Sequence, residues 1–198
     1  MAAKLKDGLF LGDYEAAQDM EFVLANKITR IINCAGRDVG NMWERNGVKY
    51  LTYFWPESGN CVIFDESNAV LDEVYGFIEE ALENHDSVLV HSMDGASRAS
   101  FCCAVYFILK YRWTLDKTMM YLQSKRPDLQ PRPGFMRQLY ALDQSLQRLT
   151  MSAVRTPPEH ESDELLLANT FLNSHAQPSM PGPARTRPRR VRLTWIDD

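Results

Sequence analysis

The stretch 87–111, SVLVHSMDGASRASFCCAVYFILKY, constrains what this chain can fold into more than any other. Val88, Leu89 and Val90 open an apolar run of strand length. A short polar loop with one glycine follows, and then an apolar segment too long for a strand, so the order predicted is strand, loop, helix. A loop that curls into the first turn of a helix gathers unpaired backbone N–H groups. The helix dipole adds positive potential, so the hollow suits an anion such as phosphate. Arg98 stands where its guanidinium can fold over that hollow and hold two oxygens at once, which a lysine does less well.

The segments before and after it set the fold class. Leu9 to Leu11 reads as a short strand, and Asp13 as the cap of a helix with Ala16, Ala17, Met20, Val23 and Leu24 on one face. Ile28 to Cys34 is a β-branched strand of the buried kind, and Val48 to Trp55 another, stopped by Pro56. From Ser67 to Asn84, apolar Val70, Leu71, Val74, Phe77, Ile78, Ala81 and Leu82 recur at three- and four-residue steps, which predicts an amphipathic helix capped by Asp65 or Ser67. Thr114 caps a further helix ended by Arg126-Pro127. A last helix begins near Pro133 with Phe135, Met136, Leu139, Leu142 and Leu146 as its inner stripe. Alternating strands and helices imply an α/β fold of three layers, a mostly parallel central sheet with helices on both faces. Ligands of such sheets bind at the carboxyl ends of strands, where the loop 91–98 lies.

The loop itself, His91-Ser92-Met93-Asp94-Gly95-Ala96-Ser97-Arg98, resembles the His-Cys-five residues-Arg signature of the cysteine-dependent protein phosphatases, and its flanks resemble the dual-specificity branch. The resemblance runs from about Leu5 to Leu149. It takes in Asn33-Cys34-Ala35-Gly36 at the end of the second strand and the closing KRPDLQPRPGFMRQL, similar to the family's Arg-Pro, turn and Phe-x-x-Gln-Leu. It implies a catalytic position at Ser92, where the family has the cysteine that attacks phosphorus, and phosphate binding by Ser92, Met93, Asp94, Gly95, Ala96, Ser97 and Arg98. Three departures stand out. The cysteine is Ser92, and the hydroxyl residue that usually follows the arginine is Ala99. No aspartate lies between Pro56 and Cys61, where the family carries its general acid; Glu57 is the nearest carboxylate, either a stand-in for that acid or a solvated loop residue. Arg132 stands where the family often has an asparagine that steadies the loop, and is either a second cation near the hollow or an exposed arginine.

A cysteine at a helix N-terminus can have its pKa lowered to ~3.5–7.5, whereas a serine hydroxyl stays protonated unless a base takes its proton. His91 is next in sequence, but successive strand residues point to opposite faces, so it is expected to face away from Ser92 and brace the loop. Loss of a thiolate also removes a like charge beside phosphate: at ~4 Å and an effective dielectric of ~20 the relief is up to ~4 kcal/mol. The expectation is therefore a pseudophosphatase that binds phosphotyrosine or phosphothreonine on a partner protein without efficient hydrolysis. The alternatives are an active dual-specificity phosphatase whose nucleophilic cysteine has been exchanged for serine, and a scaffolding protein with a relic loop.

The net charge of −4 and the absence of an aromatic-interleaved basic stripe argue against nucleic-acid binding. Cys34, Cys61, Cys102 and Cys103 lack metal-ligand spacing and read as reduced thiols of an intracellular protein. Neither a metal nor a cofactor is expected. With no signal peptide, membrane-length apolar run or myristoylation start, the reading is a soluble monomer of the cytoplasm or nucleus. Residues 1–150 form the expected domain. Residues 151–198, rich in Pro, Ser, Thr and charge with a basic cluster at 185–192, form the expected disordered tail.

Overall fold

The computed structural model describes residues 1–58, 61–64 and 69–155. Five strands, β1 (Ala3–Lys6), β2 (Leu9–Gly12), β3 (Ile28–Asn33), β4 (Lys49–Thr52) and β5 (Ser87–His91), form one sheet in the order β1-β2-β5-β3-β4. Only β1 runs antiparallel to its neighbour; β2, β5, β3 and β4 are mutually parallel. The fold is the α/β one expected, with β5 at its centre. In register, His91 lies opposite Gly12 on one side and Asn33 on the other. Three strands thus end together where the loop 91–98 begins.

β1 is the strand the sequence reading missed. Four residues, two of them lysines, with one buried side chain give too weak an alternation to register, and charged residues are what an edge strand uses to discourage further pairing. The strand expected over 48–55 is shorter, because beyond Thr52 the chain pairs with the turn after β3: Tyr53 N–H donates to Asn33 and Gly36 N–H to Tyr53. The helix expected from Asp13 is two, α1 (Tyr14–Gln18) and α2 (Met20–Ala25). Asp13 caps the first by accepting from Ala16 N–H. Asp19 interrupts it with extended backbone and caps the second by accepting from Phe22 N–H. Ala16, Ala17 and Val23 are buried as expected, but the restart turns Met20 (54% exposed) and Leu24 (69% exposed) to the surface.

The remaining helices are α3 (Ala69–Glu83), α4 (Arg98–Tyr111), α5 (Leu115–Lys125) and α6 (Pro133–Arg155). The proposed caps Asp65 and Ser67 and the tail beyond residue 155 lie outside the described residues; residues 151–155, expected to begin the tail, continue α6. Two apolar clusters flank the sheet. A small one joins Phe10, Ile31 and Leu89 to Ala17, Val23 and Trp43; a larger one packs the other face against α3 to α6. At the centre of the larger cluster, α4 is buried along its whole run from Arg98 to Ile108. This explains its all-round apolar sequence, since a helix covered on every side has no face to leave polar. Phe101, fully buried, meets the rings of Trp55, Phe64 and Phe135 at 5.9, 5.1 and 5.4 Å. Phe101→Ala is expected to cost about 3–5 kcal/mol, read as a lowered urea midpoint; a loss under about 1 kcal/mol would contradict this packing.

Candidate functional site

The loop between β5 and α4 is held on three sides. Its start docks on the end of β2 and the beginning of α1: Ser92 N–H donates to Gly12 O at 3.4 Å and Tyr14 N–H to Met93 O at 3.3 Å. Its middle is backed by Arg126, whose Nη2 donates to Asp94 O at 2.6 Å while Asp128 holds the same guanidinium. The turn before α6 closes the far side, with Gln130 N–H on Ala96 O at 3.0 Å and Arg132 N–H on Ser97 Oγ at 3.1 Å. Gly95 is required here. Its φ is +73°, and a Cβ would stand 2.4 Å from Arg126 Nη1 and 2.6 Å from Gly12 O.

Ser92, which the resemblance places at the nucleophile position, is fully buried, and its Oγ accepts from Gly95 N–H at 3.1 Å. Among the described residues no carboxylate or imidazole accepts the Ser92 hydroxyl. Ala96 N–H is bonded to Asp94 Oδ1 at 2.9 Å. Two of the amides expected to meet phosphate are therefore satisfied within the loop, whereas those of Met93, Asp94, Ser97 and Arg98 find no acceptor among the described residues. Ser97 precedes α4 but does not cap it; its hydroxyl serves the Arg132 brace instead.

Arg98 is 1% exposed. Its Nη1 donates to Asp38 Oδ2 at 3.2 Å and to Trp55 O at 3.0 Å, which fixes the plane of the guanidinium. Nε and Nη2, the edge that suits a two-oxygen anion, have no hydrogen-bond acceptor. Glu57 Oε2 lies 2.5 Å from Nη2 as an ion pair, off the direction that would make a hydrogen bond. The other Glu57 oxygen is 3.4 Å from Arg132 Nη2. Of the two readings left open for Arg132, a second cation near the hollow or an exposed arginine, the side chain is half-exposed and paired with Glu57, while its backbone N–H braces the loop at Ser97.

Sequence reasoning missed the residues that position Arg98. Asn33, buried at the end of β3, closes the next turn by donating to Val39 O at 2.7 Å and accepting from Ala35 N–H at 2.9 Å, and that turn carries Asp38. Gln138 on α6 ties down the segment after Glu57, its Oε1 accepting from Ile63 N–H at 2.7 Å and its Nε2 donating to Cys61 O at 2.9 Å. The only sequence signal for these roles was that Asn33 and Gln138 stood in quoted motifs. Cys34 and Cys102 are buried free thiols with Sγ atoms 3.5 Å apart, and burial raises the pKa of Cys102 well above the usual thiol range. Among the described residues no cluster of His, Cys, Asp or Glu is placed to hold a metal, and no helix is long and apolar enough to cross a membrane.

Comparison with known proteins bears on this arrangement directly. Residues 9–145 match the dual specificity phosphatase catalytic domain. The chain belongs to that family. It is 32% identical over 142 residues to protein phosphatase Slingshot homolog 3 of Rattus norvegicus, covering 70% of this chain but 20% of the rat protein. It is 30% identical over 143 residues to dual specificity protein phosphatase 1 of Arabidopsis thaliana, covering 72% of this chain and 69% of that one. The chain thus spans about a fifth of the Slingshot homolog and about two thirds of the plant phosphatase. Among solved structures, human DUSP28 superposes with a TM-score of 0.65 at 26% identity, covering 74% of this chain and 95% of that chain.

His91, 1% exposed, has no partner at Nδ1, and burial pulls its pKa down from the usual 6.5 to about 4. The folded protein keeps it neutral where the unfolded chain protonates it. Stability is therefore full above pH 6.5 and falls as the pH drops from 6.5 towards 4, by up to about 3 kcal/mol from this residue. Urea midpoints measured between pH 7 and 5 should show that slope and His91→Gln should flatten it; an unchanged slope in the variant would assign it elsewhere.

Proposed function

We propose that this domain is a pseudophosphatase, one that binds phosphotyrosine or phosphothreonine on a partner protein and does not hydrolyse it efficiently. The observation that carries the binding half is the buried Arg98 guanidinium with Nε and Nη2 unsatisfied. The cation is paired with Asp38 and Glu57, but buried donors without hydrogen-bond acceptors remain costly, and family membership supplies the class of anion that would complete them, a phosphate ester on a protein. The free amides of Met93, Asp94, Ser97 and Arg98 add donors to the same hollow.

Ser92 carries the other half. An alcohol must lose its proton to attack phosphorus, and the nearest imidazole, His91, makes no hydrogen bond to Ser92 Oγ. The Ser92 oxygen instead accepts from Gly95 N–H and stabilises the loop. Ala99 supplies no hydroxyl beside it, and Glu57 is paired with two arginines where a free acid is needed to protonate a leaving group.

Titration calorimetry with a doubly phosphorylated peptide is expected to show binding that Arg98→Ala weakens by at least about thirty-fold, or 2 kcal/mol. Equal affinities for the two proteins would remove the cradle from the account. Ser92→Cys is expected to give only weak turnover of p-nitrophenyl phosphate, since the acid and the helper hydroxyl remain absent. Rapid turnover from that single change would favour an active phosphatase lacking nothing but its thiol.

A further inference from the structure

We propose that the Glu57 carboxylate is a built-in anion that closes the Arg98 edge of the cradle, and that a phosphate ester enters by exchanging for it. The proposal rests on the phosphate-binding reading and adds the manner in which that site is kept shut.

The geometry is specific to an anion. One Glu57 oxygen faces Arg98 Nη2 at 2.5 Å and the other faces Arg132 Nη2 at 3.4 Å, so one carboxylate spans two guanidinium groups. The two partners differ in surroundings: Arg98 is sealed from water, while the Arg132 side chain is 49% exposed and Glu57 38%. Glu57 therefore reaches in from solvent to a buried cation, as a ligand oxygen would. Its ion pair lacks hydrogen-bond geometry at Nη2, and Nε beside it stays without an acceptor, so the fit to the fork is incomplete. A tetrahedral phosphate can present one oxygen to Nε and another to Nη2, which Glu57 does not do here.

The backbone allows the exchange. The residue two before Glu57 is fixed by the Trp55 carbonyl on Arg98 Nη1, and residues 61–64 are fixed to Gln138. Departure of the carboxylate leaves both anchors in place. Asp38 on Arg98 Nη1 and Asp94 in the loop already carry negative charge, so the entering ester gains by filling the Nε–Nη2 fork and not by relief of repulsion. With Glu57 gone, Arg132 is left unpaired beside the entering ester.

The test is titration of the full chain with inorganic phosphate and with phenyl phosphate, followed by calorimetry, for the wild type, Glu57→Gln and Arg98→Lys, with melting curves to confirm that each is folded. Glu57→Gln keeps the shape and removes the charge, and is expected to bind both ligands roughly three- to ten-fold more tightly than the wild type. Arg98→Lys is expected to lose most binding. If Glu57→Gln binds no better than the wild type while Arg98→Lys loses binding, the gate is wrong and the cradle stands. If neither the wild type nor Glu57→Gln binds, or if Arg98→Lys binds as well as the wild type, the cradle fails and the gate with it.

Discussion

A guanidinium sealed from water is the constraint around which this domain is arranged. Burying an unpaired cation is expensive, and pairing it is favourable only when its geometry is held closely. Arg98 meets that condition through elements far apart in the chain. The turn after β3 brings Asp38, the segment after β4 brings the Trp55 carbonyl, and α4 brings the arginine itself. Asn33 in turn fixes the first of these, so a buried amide at a strand end decides where a carboxylate meets a buried cation. Because Nη1 takes both fixed contacts, Nε and Nη2 keep their donors for something else.

The same economy governs the loop beneath it. A ring of amides cannot hold itself open, since each N–H will find an acceptor if the chain can bend to offer one. Contacts from β2, Arg126 and the turn before α6 prevent that bending, and Gly95 allows the approach of Arg126 that a side chain would block. Ser92 fits this frame as a structural hydroxyl. Where the family has a thiolate that would gather the amides by its charge, a neutral oxygen here accepts from Gly95 and leaves other donors of the loop unpaired. The Ser92 oxygen thereby braces the loop from within through Gly95.

The sheet carries this assembly asymmetrically. On one face α1 and α2 cover a small apolar cluster; on the other, α3 to α6 build the larger core in which α4 is buried. A helix fixed by Phe101, Tyr106 and Phe107 gives the loop a rigid far end, and β5 between β2 and β3 gives it a rigid near one. Rigidity at both ends is what lets a short loop hold donors in a fixed arrangement, since each contact then adds little further loss of freedom.

Much of this was legible in the letters alone because it depends on local pattern. The apolar run, polar loop and long apolar segment from Ser87 to Tyr111 marked the strand–loop–helix unit with Arg98 at its turn, and the alternation of strands and helices around it marked the mostly parallel sheet. The β1 strand escaped because four residues with two lysines carry too little periodicity, and the break at Asp19 because a cap inside an apolar stripe looks like one more polar residue. What only the tertiary structure decided is who meets whom across long separations. Asp38 and the segment carrying the Trp55 carbonyl and Glu57 converge on Arg98, Arg132 meets Glu57 from a third segment, and no spacing in the sequence encodes that meeting. Residue type and period set local conformation, but the partners of a buried charge are set by the packing of the whole sheet and its helices.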